Sequence, residues 1–396
     1  MVTAAGLDAA TLLWPAGPGI DAPAACLRAH KRKSPSTVHD ERYIDFAISG
    51  AILQRRFSTH DQRLSLSSTT SFMVHYADRA TARALLSEPT RAALGVVGYG
   101  TGRPDFLPSA CPFVAAPLLP ATGGAMFEIW TSTSPIRPCR LGLVSGASND
   151  ELVFGAIQLD DNADIALEEA VEKSYLGIFD FLEQTGFVEP IRFWNYLTAI
   201  TADEHGLERY RRFNVGRHRA FSARLRTPVP PVASGVGGHW GNSVIYFLSA
   251  RDGARPIENP RQVNAYEYPP IYGPSSPRFS RASIFSSSRT RTLFIAGTAS
   301  IVGHETRHVG DLAGQIAETT ENLRALIRVA EQEEAWSRDD RWALKVYLRE
   351  PAYRAPVDAA LQAMFGTGCQ PLYLRGDICR SDLLIEIEAF RQTIAI

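Results

Sequence analysis

The sequence is poor in cysteine and has no long hydrophobic run. Its five cysteines form no CxxC pair, which argues against a disulfide framework and a zinc ribbon and favours a reducing compartment. No apolar run reaches the roughly 18 residues of a membrane span, because prolines and glycines interrupt residues 113–130. Residues 1–27 lack the basic segment of a secretion signal. We therefore expect a cytoplasmic protein that makes no membrane contact.

The chain also lacks an excess of charge of either sign. Lysine and arginine total 41 against 42 acidic residues, so no bulk field is present to recruit nucleic acid or an anionic membrane. The expected partner is a small-molecule substrate. With 396 residues, 45% of them apolar, the chain is long enough for two or three compact units.

Two stretches of the chain repeat one order of predicted elements: strand, helix, strand, helix, then a Pro/Gly-rich loop and a strand. The first stretch has strands at 152–159, 191–197 and 243–250 and helices at 165–184 and 207–221. The second has strands at 292–301, 342–348 and 383–390 and helices at 311–332 and 355–365. The repeat predicts two copies of one α/β unit, each a sheet with two helices on one face and its other face left for a partner copy.

The domain boundary is predicted near residue 252. Residues 1–252 would be an N-terminal region that contains a degenerate unit at about 150–252, and residues 253–396 would be a C-terminal domain. Before residue 100 only short strands are predicted, around 42–52 and 71–76.

Ionisable residues cluster in the last predicted strand, in the run Cys379–Glu388. On a strand, alternate residues share a face, so Arg380, Glu386 and Glu388 are expected on one face and Leu383, Ile385 and Ile387 on the other. Carboxylates are costly on a buried face unless they have a partner or a function. We therefore expect the functional site here, unless the glutamates lie at a solvated strand end.

Several short sequences resemble the RidA (YjgF/UK114) family in order and spacing. They are Gly273-Pro274, Phe279–Ala282, Phe294–Gly297, Glu321–Leu323, Lys345–Leu348 and Arg380-Ser381. In that family an arginine matching Arg380 holds a substrate carboxylate, so the resemblance implies this role for Arg380.

The chain resembles the chorismatase family more closely, over most of its length beyond residue 150. The matching sequences are Trp194–Tyr196, Glu258–Gln262, Tyr266–Gly273, Gly297–His304 and Cys379–Glu388. The resemblance implies RidA-like α/β units in a pseudo-trimer-like arrangement with an N-terminal extension, an active site in the C-terminal domain, and cleavage of chorismate to pyruvate and a ring product.

Cleavage of the enolpyruvyl ether of chorismate by acid catalysis requires a proton on the terminal methylene carbon. A carboxylic acid does this near neutral pH if apolar surroundings raise its pKa. The resemblance assigns this role to Glu386, which Ile385 and Ile387 flank. The strand pattern does not separate Glu386 from Glu388.

Chorismate has two carboxylates, and arginine suits a carboxylate better than lysine does. Arg380 is the first expected clamp, and the second is expected among Arg261, Arg281 and Arg349, each of which could instead form a structural ion pair. Tyr268, Tyr272 and Gly273 belong to the proline-rich aromatic loop that would contact the ring, or only pack on the core.

The ring product depends, by the resemblance, on the residues matching Ala299 and Cys379. An alanine pair accompanies hydrolysis to a dihydroxycyclohexadiene carboxylate, whereas glycine and cysteine accompany 3-hydroxybenzoate. Here the pair is mixed. The cysteine favours a hydroxybenzoate, chiefly 3-hydroxybenzoate with 4-hydroxybenzoate as a further product, and the diene-diol is the alternative. Cys379 could also be only a small buried apolar residue.

The run His304–His308 matches the zinc-peptidase motif HExxH, which requires a helix through both histidines. Gly303 and Gly310 flank the run, and the next helix is predicted to begin at Asp311, so we expect a loop and a chance match. We expect no metal and no cofactor. A zinc peptidase, a RidA-like imine deaminase and a non-enzymatic binding module remain alternatives, and a monomer is expected because the internal copies can cover one another.

Overall fold

The computed structural model describes residues 72–160, 165–287 and 289–394; the strand predicted around 42–52 lies outside them. Residues 72–148 form β1 (Phe72–Asp78), α1 (Arg79–Leu86), β2 (Ala92–Tyr99), β3 (Phe113–Ala116), β4 (Leu119–Pro120), β5 (Met126–Ser132), β6 (Arg137–Leu141) and β7 (Val144–Ser148). Residues 152–257 form β8 (Leu152–Gln158), α2 (Leu167–Thr185), β9 (Glu189–Thr198), β10 (Asp203–Glu204), β11 (Leu207–Glu208), α3 (Arg209–Arg224), β12 (Val232–Gly238), β13 (Val244–Ala250) and β14 (Arg255–Ile257).

The remaining part begins with two 3₁₀ turns, Ala265–Glu267 and Pro270–Tyr272, and has a third at Pro351–Tyr353. Its other elements are β15 (Ala282–Ser286), β16 (Thr290–Thr298), β17 (Ile301–Val302), β18 (Glu305–Thr306), α4 (Leu312–Glu333), β19 (Arg341–Leu348), α5 (Arg354–Phe365), β20 (Leu372–Arg375), β21 (Asp377–Ile378) and β22 (Ile385–Ile394).

The predicted helices and most strands are found close to their predicted bounds, and two strand predictions need correction. The strand predicted through residue 301 ends at Thr298, where the pairing of β16 with β22 shifts register after Ile295. The last strand begins only at Ile385, so Arg380 and Leu383 precede it. Asp311 caps α4, because its side chain accepts a hydrogen bond from the backbone N–H of Gly314 at 3.1 Å.

Two seven-stranded sheets confirm the internal repeat. The middle sheet has the order β21-β12-β9-β13-β8-β7-β6 and the C-terminal sheet the order β4-β20-β19-β22-β16-β15-β14. In each, the second and third strands are parallel and the next two pairs are antiparallel. Each sheet takes its first strand from another part of the chain: β21 pairs with β12, and β4 pairs with β20.

A four-stranded sheet forms a third, smaller unit that the sequence pattern did not predict. Its order β3-β2-β5-β1 and strand directions match β12-β9-β13-β8 of the middle sheet. It contains one helix, α1, which lies between β1 and β2 in the chain. The described part of the chain therefore holds three related units, two complete and one reduced, as in a trimer folded into one polypeptide.

The three sheets share one interior. A central hydrophobic cluster includes Trp130 of the small sheet, Trp194 of the middle sheet and Phe390 of the C-terminal sheet. Separate clusters lie between each sheet and its own helices. Each sheet thus buries one face under helices and the other against its partner units. Among the described residues, no helix is both long enough and apolar enough to cross a membrane.

Candidate active site

A cavity of about 370 Å³ lies between the middle and C-terminal units. The middle unit contributes α3 and β12, and the C-terminal unit contributes the aromatic loop, the end of β16, the loop 379–384 and β22. A cavity of this size is typical of a small-molecule site. Its lining includes Glu208, Tyr210, Arg211, Ser234, Tyr268, Tyr272, Arg281, Gly297, Ala299, Cys379, Arg380 and Glu386.

Glu386 extends from β22 into this cavity and is only 4% exposed. Gly297 on β16 leaves the space that its carboxyl occupies. Burial, followed by the negative charge of Glu388, raises the pKa of Glu386 to about 8. No ion pair to Glu386 is found within the described ranges. The carboxyl is therefore mostly protonated at neutral pH, and it lines the cavity.

Glu388 lies on the same face of β22 but has a different environment. Its carboxylate accepts hydrogen bonds from Trp194 at 2.8 Å and Tyr347 at 3.0 Å, and it forms ion pairs with Arg192 at 3.0 Å and Lys345 at 3.3 Å. Burial alone would raise its pKa, but Lys345 and Arg192 outweigh burial and lower the pKa to about 2. The structure thus separates the two glutamates that the strand pattern could not.

Arg380 lies in the loop between β21 and β22, so its predicted place on the strand is wrong. The chain turns at residues 379–382 before β22 begins, yet the side chain still reaches the cavity. Its guanidinium donates to the backbone oxygen of His304 at 2.9 Å and lies over the Tyr272 ring, with 4.3 Å from Cζ to the ring centroid.

Arg349 and Arg261 do not line the cavity. Arg349 forms an ion pair with Asp377 at 2.6 Å and donates to the backbone oxygens of Leu383 and Arg380, so it anchors the loop that carries Arg380. Arg261 pairs with Glu318 at 2.5 Å. These geometries match the structural ion pairs that the sequence left open, and they do not support substrate binding by Arg349.

Arg281 and the two tyrosines of the aromatic loop meet at the cavity wall. Arg281 is 5% exposed and donates to the Tyr268 hydroxyl at 2.7 Å. The rings of Tyr268 and Tyr272 lie 5.2 Å apart. Gly273 is not part of the lining; its φ of 131° favours glycine, and a Cβ atom at this position would lie 3.3 Å from the Arg211 side chain.

Arg211 is a cavity residue that the sequence reasoning missed. It lies near the start of α3 in the middle unit, whereas the sequence predicted a site within the C-terminal domain. No ion pair to Arg211 is found in the part of the chain that the structure describes. The sequence does show several arginines in the segment Arg209–Arg212. Only the packing of the two units shows that Arg211 faces the cavity.

Ala299 and Cys379 both line the cavity. Burial, with a smaller contribution from the charge of Glu386, raises the pKa of the Cys379 thiol to about 12. The thiol is therefore neutral near Glu386. Ala299 and Cys379, on which the ring product is predicted to depend, thus line the same cavity as Glu386.

The HExxH run is not helical. His304 lies in the turn between β17 and β18, and His308 has a φ of 57° after that hairpin, as the loop prediction requires. His304 Nδ1 lies 3.1 Å from the Tyr272 hydroxyl, whereas His308 Nε2 lies 3.3 Å from Glu318. The two histidines thus contact different groups, and the one-turn helical spacing of a zincin is absent.

Comparison with known proteins identifies the family. Residues 128–249 match the family model described as "Chorismatase FkbO/Hyg5-like, N-terminal". A chorismatase from Streptomyces rapamycinicus is 34% identical over 306 residues, which is 74% of this chain and 91% of that protein. A 3-hydroxybenzoate synthase from Streptomyces hygroscopicus is 33% identical over 311 residues, covering 75% of this chain and 91% of that protein.

One solved structure supports this family assignment. A crystal structure of a chorismatase matches 82% of this chain and 99% of its own, with a TM-score of 0.72 and 30% sequence identity. The YjgF gene product of E. coli aligns with 35% of this chain and 97% of its own, at 18% identity and a TM-score of 0.25. The chain belongs to the chorismatase family.

Proposed function

We propose that the protein cleaves chorismate to pyruvate and a hydroxybenzoate, with Glu386 as the general acid. The observation that carries this proposal is a buried carboxyl whose pKa is raised to about 8 and which faces a cavity with three arginines. The related 3-hydroxybenzoate synthase supports 3-hydroxybenzoate as the main product.

The proposed reaction begins with protonation of the substrate. Glu386 donates its proton to the terminal methylene of the enolpyruvyl group, which forms a methyl group and an oxocarbenium ion. A ring hydroxyl then adds to the cation, which forms a cyclic ketal and returns a proton to the Glu386 carboxylate. One ring carbon–oxygen bond of the ketal breaks and the ring loses a proton as it becomes aromatic. The ketal carbon then releases the oxygen that stays on the ring, which takes up a proton, and leaves as pyruvate with the other oxygen as its carbonyl. The atoms of pyruvate and hydroxybenzoate together equal those of chorismate, so no net water is consumed.

Three arginines line the cavity and could bind the two carboxylates of chorismate. Arg211, Arg281 and Arg380 line the cavity, and no ion pair to any of them is found among the described residues. Arg380, over the Tyr272 ring, is the proposed clamp for one carboxylate, and Arg281 and Arg211 are the candidates for the other.

In the described part of the molecule, the acidic side chains that line the cavity do not form ion pairs with these three arginines, so the arginines are available to bind the substrate. Glu305 pairs with Arg307 at 3.2 Å, and Asp382 accepts from Thr306 at 3.1 Å. Burial raises the pKa of Glu208, against the opposing charges of Arg211 and Arg380. The substrate would therefore supply the negative charge that the arginines lack.

The alternative hydrolysis differs only after protonation. Water adds to the oxocarbenium carbon, and the hemiketal collapses to pyruvate and the dihydroxycyclohexadiene carboxylate, with one water consumed. The mixed pair Ala299 and Cys379 lines the same cavity, and we propose that it influences this choice. Imine deamination would use Arg380 but would give the buried acid no role.

The test is the purified protein with chorismate and a metal chelator, with pyruvate followed enzymatically and the ring product identified by chromatography and mass. We expect pyruvate and a hydroxybenzoate, and at least a ~1,000-fold loss of kcat in Glu386→Gln, since the glutamine has no proton to give. Glu321→Gln makes the same change in an exposed pair with Arg328 and should retain activity. Untouched chorismate would refute the proposal and would make imine deamination the next assay.

A further inference from the structure

A chain of buried charges lies directly behind Glu386 and joins all three units. Glu388 contacts Arg192 of the middle unit and Lys345 of its own unit. Lys345 also pairs with Glu128 of the small unit at 2.9 Å. All four residues are at most 4% exposed. The two carboxylates and two cations give the cluster no net charge. Burying four charges still costs desolvation energy, and apolar side chains of similar size would stabilise the fold without that cost.

We propose that Glu388 is a positioning residue of the reaction: its carboxylate, fixed by Arg192 and Lys345, is the negative charge that keeps the neighbouring Glu386 carboxyl protonated. The inference rests on the proposed role of Glu386 as the acid and adds the group that sets its charge state.

The geometry supports a direct influence of Glu388 on Glu386. The two residues are two positions apart on one face of β22, and both carboxyls are buried. Ser234 of the middle unit accepts from Arg192 at 2.6 Å and from the backbone N–H of Gly297 at 2.8 Å. Ser234 therefore links the cation that holds Glu388 to the glycine that makes room for Glu386.

Other charged and titratable groups face Glu386 from every packed element. Arg192 on β9 and Arg281 before β15 lower its pKa, while burial and Glu388 raise it. Cys379 and Arg380 come from the loop before β22, and Tyr210 comes from α3. Among these groups Glu388 is the fixed anion, because the Cys379 and Tyr210 pKa values are raised by burial and these groups stay neutral.

Glu128 provides a matched control. It is as buried as Glu388, pairs with the same Lys345, and accepts hydrogen bonds from Tyr99 and Trp130 at 2.8 Å each. Lys345 separates it from Glu388, and its charge is not among those that shift the pKa of Glu386. A purely structural cluster predicts the same phenotype for Glu388→Gln and Glu128→Gln. The positioning role predicts a difference.

The experiment measures kcat/KM for chorismate against pH. In Glu388→Gln the loss of the anion also leaves Arg192 and Lys345 uncompensated, and both changes favour ionised Glu386. We expect the fall in kcat/KM at high pH to move at least about one unit lower, while Glu128→Gln keeps the wild-type position and Glu388→Asp restores it. A wild-type position in folded Glu388→Gln would overturn the proposal.

A second variant covers the case in which Glu388→Gln does not fold. Arg192→Gln leaves Glu388 with Lys345 as its cation and removes a positive charge from the surroundings of Glu386, so the fall in kcat/KM should move to higher pH. No movement, or movement to lower pH, would overturn the proposal.

A readout without substrate separates this inference from the proposed function. The infrared carbonyl band of a protonated carboxyl, assigned by its loss in Glu386→Gln, can be titrated in each variant. If wild-type protein does not cleave chorismate, the proposed function fails. The inference would still stand if this band titrates at lower pH in Glu388→Gln than in wild type, and it would fail if the two titrations coincide.

Discussion

Glu386 occupies space that exists only because residue 297 is glycine. A Cβ atom built on Gly297 would lie 1.7 Å from Oε1 and 2.5 Å from Cδ of Glu386. Its backbone is not in the left-handed region, so glycine is required here for room and not for conformation. The shift in register between β16 and β22 falls at this point, between Ile295 and Thr298. The position of the acid thus depends on a missing side chain on the neighbouring strand.

Gly297→Ala should therefore inactivate the enzyme without unfolding it. The methyl group would push the Glu386 carboxyl away from the substrate, and a displacement of about 1 Å can cost ~100-fold in rate. The measurement is kcat from pyruvate release, with thermal unfolding as a check on the fold. Gly177→Ala, at a helical position with open space around it, is the control and should keep full activity. Unchanged kcat in Gly297→Ala would contradict the placement of the acid.

The pH dependence of the reaction should report the raised pKa of Glu386. In the proposed mechanism the protonated form is the active one, and it predominates below the folded-state pKa of about 8. We expect kcat/KM to be level near pH 7 and to fall about tenfold per unit above pH 8. Initial rates in buffers of constant ionic strength would test this. A rate that rises through pH 8 would indicate a base and contradict the assignment.

Period-two counting predicted the shared face of the two glutamates correctly, but it misplaced Arg380. It placed Arg380, Glu386 and Glu388 on one strand face, and the two glutamates do share a face of β22. Arg380 reaches the same cavity from a loop instead, because Arg349 binds the backbone oxygens of Arg380 and Leu383. The spacing of residues along the sequence does not predict hydrogen bonds between residues that are so far apart in the chain.

Two features that the sequence did not predict depend on contacts between units. Arg211 faces the cavity only because α3 of the middle unit packs beside the C-terminal unit. Glu386 and Glu388 are the same residue type, and they differ because Lys345 and Arg192 form ion pairs with Glu388, whereas no such pair to Glu386 is found among the described residues. The sequence pattern did not reveal the small unit as a third copy for two reasons. The long irregular segment 100–112 separates β2 from β3, and the unit has a single helix.

The arginines should divide into binding and anchoring roles. Arg211→Met should raise KM for chorismate about tenfold or more, with a smaller change in kcat, if its guanidinium binds a carboxylate. Arg349→Met removes the ion pair with Asp377 and loosens the loop of Arg380, so it should also lower the thermal unfolding temperature. Steady-state kinetics and thermal unfolding of both variants make the comparison. An Arg211→Met enzyme with wild-type KM would exclude it as a clamp.

The histidines of the HExxH run offer a test that is independent of the acid. His308 contacts Glu318 on the protein surface, whereas His304 contacts Tyr272 at the aromatic loop. His308→Ala should keep wild-type activity, and a chelator should have no effect on wild-type protein. A zinc peptidase would lose its activity under both treatments, so retention of chorismate cleavage in both would exclude that alternative.

The mixed pair Ala299 and Cys379 should control which ring product forms. Both residues line the cavity together with Glu386, and in the proposed mechanism they would set the room for water around the oxocarbenium ion. Ala299→Gly completes the pair that accompanies 3-hydroxybenzoate and should raise the share of hydroxybenzoate. Cys379→Ala completes the alanine pair and should shift the products toward the dihydroxycyclohexadiene carboxylate. The measurement is the ratio of ring products at equal pyruvate release, determined by chromatography. Because neither side chain supplies the proton, both variants should still form pyruvate. An unchanged ratio in both variants would show that these two side chains do not control access of water to the cation.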